Sequence, residues 1–236
     1  MLAVTVQLRQ NRDITMSKTN NTFKNNEHMN RCTNKSSIPG DAAHLMRADT
    51  LRIAGVVKES IVDGPGIRFT VFCQGCPHAC PGCHNTQTHD FDGGFECKID
   101  KIVAAIDDNP LISGVTFSGG EPACQPTGFY ELALKVKERG LSLWMYSGYT
   151  LEELSALAGM HLQWASPIDA KSAHSSDPQN RLALRGLLET IDVLIDGRYI
   201  DELRDLTLPF RGSKNQRLID MAETRRTNRL TLYDPV

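Results

Sequence analysis

Cys73-Gln74-Gly75-Cys76-Pro77-His78-Ala79-Cys80-Pro81-Gly82-Cys83-His84-Asn85 carries four of the seven cysteines of the chain. Thiols this close in sequence do not pair as disulfides without strain, but they make a natural metal cradle. Thiolates select iron–sulfur clusters, zinc or copper(I), and spacing decides among them. A zinc ribbon separates its two knuckles by about 15–20 residues. A ferredoxin run repeats Cys-x2-Cys-x2-Cys, with a fourth cysteine followed by proline. Neither matches. What remains is Cys76-x3-Cys80-x2-Cys83, a tight loop with three thiolates for one face of a cubane cluster. Three ligands would leave one iron open, and an open position marks a catalytic metal site. On the triplet alone, a zinc loop or a chance cluster of buried cysteines stays open.

Working outward, Ile67-Arg68-Phe69-Thr70-Val71-Phe72-Cys73 alternates and is β-branched or aromatic, which predicts a strand entering the loop. Before it, Asp63-Gly64-Pro65-Gly66 is a turn, and Leu51-Arg52-Ile53-Ala54-Gly55-Val56-Val57 predicts another strand. After it, Ile99, Ile102, Val103 and Ile106 recur at helical spacing, and Asn109-Pro110 ends that helix. Val115-Thr116-Phe117-Ser118-Gly119-Gly120-Glu121-Pro122 is a strand running into a double glycine and a carboxylate. Glycines at a strand end let backbone approach a ligand closely. A glutamate there can accept from an ammonium group.

Phe129, Leu132, Ala133 and Val136 form a second helical stripe closed by Gly140. Residues 141–146 predict a third strand, which ends in Ser147-Gly148-Tyr149-Thr150. Thr150 and Glu153 have capping-box spacing for a helix through Leu157. Residues 158–179 read as a loop, residues 182–188 as a helix, and Ile191-Asp192-Val193-Leu194-Ile195-Asp196-Gly197 as a fourth strand. Arg229 to Tyr233 is expected to close the sheet as a strand. Strands alternating with helices argue an α/β fold with a curved parallel sheet. Too few units appear for a closed eightfold barrel, so a partial (β/α) barrel is expected. The Cys loop, Gly-Gly-Glu-Pro, Ser-Gly-Tyr-Thr and Asp196-Gly197 all follow strands. That puts them on the carboxyl edge, where such sheets hold ligands.

Cys76-x3-Cys80-x2-Cys83 followed by Gly119-Gly120-Glu121-Pro122 resembles the radical S-adenosylmethionine superfamily. Cys-Pro-Gly-Cys-His-Asn, Asp196-Gly197 and Phe210-Arg211-Gly212-Ser213-Lys214-Asn215-Gln216-Arg217 narrow the resemblance to the glycyl-radical-enzyme activating family, in its anaerobic ribonucleotide reductase branch. The resemblance covers everything beyond residue 47 or so and implies a barrel of the radical SAM type. It implies that Cys76, Cys80 and Cys83 hold one [4Fe-4S] cluster, whose fourth iron chelates S-adenosyl-L-methionine. It implies that Gly82, Cys83 and His84 line the adenosine side, and that Gly119, Gly120 and Glu121 meet the methionyl group. Ser147 and Asp196 fall where the family contacts cofactor or a cation.

The implied reaction cleaves S-adenosylmethionine with one electron to a 5′-deoxyadenosyl radical. That radical then takes hydrogen from a glycine of the anaerobic ribonucleotide reductase. Reduced flavodoxin or ferredoxin is the implied electron donor. Asp63-Gly64-Pro65-Gly66-Ile67-Arg68 and Cys83-His84-Asn85 fit an activator of pyruvate formate-lyase or another glycyl-radical enzyme as well. A non-enzymatic iron–sulfur or zinc scaffold is the reading from another class. One departure stands out: many superfamily members have an aromatic residue just before the third cysteine, where this chain has Gly82. Adenine must then pack on something else, and His84 is one candidate.

Composition agrees. A formal charge of −2 over 236 residues gives no reason to expect nucleic acid or an anionic membrane. No apolar run approaches the roughly 18 residues of a span. No basic region precedes an apolar block, so no secretory signal is expected. Clustered thiols and an odd cysteine total fit a reducing cytoplasm. Residues 1–47 are rich in Asn, Thr, Lys and Ser and read as a disordered tail ahead of a domain over 48–236. A start at Met46 is the second reading of that composition break. Cys32 and His28 lie in the tail as isolated ligands. Cys97 and Cys124 are expected in the core. His89, His161 and His174 are expected to face solvent, as are Arg211, Lys214 and Arg217.

Overall fold

The computed structural model describes residues 48–165 and 177–235. The expectations for the tail, for His174 and for most of the 159–179 stretch lie outside these. Seven strands form one mixed sheet: β1 (Thr50–Ser60), β2 (Arg68–Cys73), β3 (Phe95–Lys98), β4 (Gly114–Gly119), β5 (Ser142–Tyr146), β6 (Val193–Asp196) and β7 (Arg217–Asp220). Their order is β3-β1-β2-β4-β5-β6-β7, and among the described residues the sheet stays open. The helices are α1 (Ile99–Asp107), α2 (Pro126–Glu138), α3 (Leu151–Leu157), α4 (Pro178–Thr190) and α5 (Met221–Thr227).

The expected parallel sheet is therefore corrected to a mixed one. β2, β4, β5 and β6 run parallel, but β1, β3 and β7 are antiparallel to their neighbours. For β1 and β2, connection length gives the reason. A parallel pair needs a crossover of a dozen or more residues, whereas a short turn can only reverse the chain. β1 and β2 are joined by such a turn, while α1, α2 and α4 lie on the connections between the parallel strands. Sequence reading also misses β3, β7 and α5. The expected closing strand at residues 229–233 is only an isolated bridge, Ile219 to Leu232. It is held to β7 by Asp220 N–H on Thr231 O and Tyr233 N–H on Leu218 O, both 2.9 Å.

Strand alternation sorts the core into two faces. Phe69, Val71 and Cys73 of β2, Val115 and Phe117 of β4, Leu143 and Met145 of β5, and Leu194 of β6 join the apolar stripes of α1, α2, α3 and α4 in the main core. The stripes read from sequence on α1 and α2 are buried as expected. The other face is polar at its centre, with Arg68, Thr70, Thr116 and Ser118 buried. Its far side is a small cluster of Trp144, Val193, Ile195 and Leu218 against Tyr146, Phe210 and Tyr233.

Arg68 explains the Asp-Gly-Pro-Gly-Ile-Arg segment. Its guanidinium donates to Thr116 Oγ1 and Val115 O at 2.6 Å and to Ser142 Oγ at 2.9 Å, with Trp144 over it at 5.2 Å. Asp63 accepts from Thr70 Oγ1 at 3.0 Å and from Ser60 Oγ at 2.5 Å. Burial pulls the Arg68 pKa down to about 10, which still leaves it charged at neutral pH. Arg68 pairs with Gly114 and Cys73 with Gly119, so this lock sits at the amino end of the parallel strands, opposite the Cys loop.

Candidate active site

Cys73 ends β2 fully buried, and the chain then leaves the sheet into the loop. Its Sγ accepts from Gln125 Nε2 at 3.2 Å, and its contacts reach Gln74 O and Glu121 O at 3.5 Å. Cys73 thus packs into the core, as its place on the strand suggests. Cys76, Cys80 and Cys83 are half-buried free thiols. Cys83 N–H donates to Cys80 O at 3.2 Å, and Asn85 N–H donates to Cys83 Sγ at 3.4 Å. Ala79 adopts a left-handed backbone, φ +46°, which turns the loop between the first two thiols.

Burial pushes the Cys76 thiol up to about 12, against backbone N–H groups of His78 and Ala79 that favour the thiolate. Burial also raises Cys83, and the charge of Cys80 is felt at both. Cys76 and Cys83 therefore sit where an ionised sulfur lacks enough water, and Cys80 lies between them in the same loop. That donor set suits a soft, positively charged metal centre, which keeps its ligands as thiolates. Among the described residues, no three His, Cys, Asp or Glu side chains converge to hold a single metal ion.

The Gly-Gly-Glu-Pro segment lies directly beside this loop. Gly119 has φ +92°, and a side-chain carbon there would lie 2.7 Å from the Phe72 Cα. At Gly120 it would lie 2.4 Å from Gly75 O. Gly120 N–H donates to Cys73 O and Glu121 N–H to Gly75 O, each at 2.8 Å. The double glycine thus lets the end of β4 lie against the backbone that leads into the cysteines. Glu121 is fully buried. Its carboxylate accepts from Ala123 N–H at 3.0 Å, Ser147 Oγ at 3.0 Å, Gly148 N–H at 2.8 Å and His78 Nε2 at 2.9 Å. Ser147 follows β5, and the predicted capping box of Thr150 and Glu153 starts α3 just beyond it.

Asp196 ends β6 almost fully buried. It accepts from Leu151 N–H at 2.7 Å and from Arg217 Nε at 2.9 Å. Arg217 also reaches Glu152 at 2.7 Å. Burial alone would raise the Glu152 carboxyl, but Arg217 holds it below its ordinary value. The carboxylates raise Arg217 in turn. Arg217 is thus an internal ion-pair bridge rather than the expected solvent-facing charge, because β7 places it beside Asp196. Arg211 is likewise half-buried and donates to Gln216 O at 3.0 Å, whereas Lys214 is exposed. His89 is half-buried, with Nε2 buried and unpartnered, while His161 is exposed as expected. Cys97 and Cys124 are buried, as expected of core residues.

The segment after β6 folds back over the third cysteine. Tyr199 lies against His84 with ring centroids 5.6 Å apart, and Tyr199 O–H donates to Asp201 Oδ1 at 2.6 Å. A side-chain carbon on Gly82 would sit 2.8 Å from that Asp201 oxygen. All of the predicted site residues therefore lie on the carboxyl edge or in the loop above it. Sequence reading gives no role to His78, Tyr199, Asp201 or Glu152. His78 stands within the cysteine motif and Tyr199 three residues past Asp196, so their positions are visible in the sequence although their partners are not.

A three-thiol loop on the carboxyl edge of an open α/β sheet is the frame of an iron–sulfur protein. The family model described as "4Fe-4S single cluster domain" matches residues 62–219, and the chain belongs to that family. Its relatives carry a narrower name. The chain is 32% identical over 165 residues to the anaerobic ribonucleoside-triphosphate reductase-activating protein of Salmonella typhimurium, covering 66% of this chain and 90% of the relative. The protein of the same name from Escherichia coli K12 is 31% identical over 166 residues, with the same coverage. That of Enterobacteria phage T4 is 29% identical over 164 residues, covering 66% of this chain and 86% of its own length. These names point to the reductase, and the pyruvate formate-lyase alternative is not favoured.

Proposed function

We propose that this chain is a radical S-adenosylmethionine activase that places a glycyl radical on an anaerobic ribonucleoside-triphosphate reductase. The observation that carries the proposal is the meeting of the three-thiol loop with Gly119, Gly120, Glu121 and Ser147 on one sheet edge. The relatives named for this activation support the choice of partner. The four parallel strands β2, β4, β5 and β6 are read as the partial barrel of the radical SAM type.

In this reading Cys76, Cys80 and Cys83 hold one [4Fe-4S] cluster by three thiolates. When bound, the cluster and S-adenosyl-L-methionine supply one-electron sulfonium cleavage and with it the hydrogen-abstracting 5′-deoxyadenosyl radical. The residues of the chain bind and orient. Gly119 and Gly120 bring bare backbone to the methionyl group, and Glu121, steadied by Ser147, offers it a carboxylate. Gly82, Cys83 and His84 line the adenosine side. Asp196, clamped by Arg217 and the start of α3, fixes the end of β6 beside them. The partner's glycine enters from the open edge, so docking selects the hydrogen that is taken.

Reduced flavodoxin or ferredoxin is the proposed electron source. A reducing, cytoplasmic setting suits a chain with six free cysteines among its described residues. No described helix is long and apolar enough to cross a membrane.

The test is electron paramagnetic resonance of the reduced, cluster-loaded protein with S-adenosylmethionine and the reductase. A doublet from the one α-hydrogen left on a glycine is expected. A doublet only with pyruvate formate-lyase would reverse the partner assignment, and no doublet with any glycyl-radical partner would reject the activase reading.

A further inference from the structure

We infer that Tyr199 provides the aromatic face on which the adenine ring of S-adenosylmethionine stacks, held in place by Asp201. The inference rests on the activase reading and adds a residue that the motifs do not contain. The residue before Cys83 is Gly82, which has no side chain to offer a base. Gly82 adopts φ +71°, a conformation that favours glycine, and the space a side chain would need is filled by Asp201. The residue is thus small because another segment occupies its place.

That segment brings its own ring. Tyr199 is half-buried beside exposed His84, with the two rings tilted by 41° at 5.6 Å. The exposed 2.6 Å bond to Asp201 restrains the phenol end of the ring. An adenine has a π-face whatever its hydrogen-bond edges do, and stacking on an aromatic side chain is its most general recognition. The ring stands next to His84, which follows Cys83 in the chain, on the predicted adenosine side. Asp201 itself touches no base. It acts as a positioning residue through its bonds to Tyr199 and its packing on Gly82.

The experiment uses the full, cluster-loaded chain and measures dissociation constants for S-adenosylmethionine, 5′-deoxyadenosine and L-methionine by calorimetry, together with iron per chain. Tyr199→Ala is expected to weaken both adenosine-bearing ligands by about ten- to a hundredfold, the range for loss of one stacked base. Iron content and methionine binding should stay at wild-type values. Tyr199→Leu keeps apolar bulk without a ring and should behave like Tyr199→Ala, while Tyr199→Phe should stay within about threefold of wild type on stacking alone. Wild-type affinity for S-adenosylmethionine in both the Ala and Leu variants would overturn the assignment. So would an equal loss of methionine binding or of iron, which would mark a merely structural residue. A wild-type protein that binds no S-adenosylmethionine would instead reject the activase reading beneath it.

Discussion

His78 Nε2 lies 2.9 Å from Glu121 Oε2, joining the middle of the Cys loop to the carboxylate that follows β4. Both side chains are nearly or fully buried, at 4% and 0% exposure. The His78 ring also stands edge-on to Tyr149, with centroids 4.4 Å apart. A carboxylate has about four acceptor sites, and Glu121 already uses them on His78, Ser147, Gly148 and Ala123. A ligand ammonium can reach Glu121 only by exchange with one of these, and His78 is the partner that belongs to the Cys loop.

His78→Ala should therefore cost stability without costing ligand affinity. Losing a buried bond to a charged acceptor is worth about 1.5–3 kcal/mol. The freed carboxylate, left with neutral donors, should bind S-adenosylmethionine as tightly as wild type or up to about tenfold more tightly, the equivalent of about 1.4 kcal/mol. Glu121→Gln should lose that affinity. Calorimetric titration beside urea unfolding separates the two effects. Weaker binding in His78→Ala, with Glu121 intact, would show that His78 helps to hold the ligand rather than compete with it.

The thiols give a second prediction. Cys73 is packed against Gln125 and the core, whereas Cys76, Cys80 and Cys83 share the loop. Cys73→Ala should keep iron per chain and cluster absorbance close to wild type, at the modest stability cost of one small buried side chain. Alanine at any of the other three should remove a normal four-iron cluster. Equal loss at Cys73 would mean four thiolate ligands and no open iron.

Arg217 makes a pH-dependent case. It bonds Asp196 and Glu152, and it holds the Glu152 pKa below the ordinary value. A carboxyl with a depressed folded pKa stabilises the fold above its unfolded pKa. That contribution fades as pH falls through the lower folded value. Arg217→Met leaves two carboxylates without their cation, a change of about 3–5 kcal/mol when a buried partner is removed and less where water screens it. The stability gap between wild type and variant should be widest near neutral pH and narrow below about pH 4.5, the range of an unperturbed glutamate. Thermal unfolding of both proteins from pH 7 to pH 3 measures this, and a gap independent of pH would rule out the ion-pair account.

How much of this is legible in the sequence follows from how local each signal is. The stripes on α1 and α2, the Thr150–Glu153 box and the run 68–73 are patterns within a few residues, and the structure reproduces them. β3 and β7 have four residues each and are held by the strand beside them, so their own sequence says little. Strand direction escapes at the margins for the same reason. Alternation reports which face is buried, but not which way a neighbour runs. In the site, the cysteines and Gly-Gly-Glu-Pro announce themselves by spacing. Glu121 with His78, Arg217 with Glu152 and Tyr199 with His84 join residues that only the folded sheet brings together. Arg217 reads as a surface charge because nothing in its own segment before β7 is acidic.

Gly120 offers the last test, because its role is purely one of space. A methyl there would lie 2.4 Å from Gly75 O, and backbone cannot rotate away as a side-chain tip can. Gly120→Ala must push the end of β4 away from the start of the Cys loop. That would stretch the 2.8 Å bonds from Gly120 N–H to Cys73 O and from Glu121 N–H to Gly75 O. Overpacking of this kind costs about 1–3 kcal/mol. The thiols belong to one loop that can shift together, so iron content should fall little. Glu121 moves relative to that loop, so the KM for S-adenosylmethionine should rise at least tenfold, with a smaller change in kcat for uncoupled cleavage. The Gly119 position serves as the comparison: its φ of +92° adds backbone strain to the clash with Phe72, so Gly119→Ala should be the more destabilised of the two in urea. A Gly120→Ala protein with wild-type KM would show that β4 and the Cys loop need not touch for the cofactor to bind.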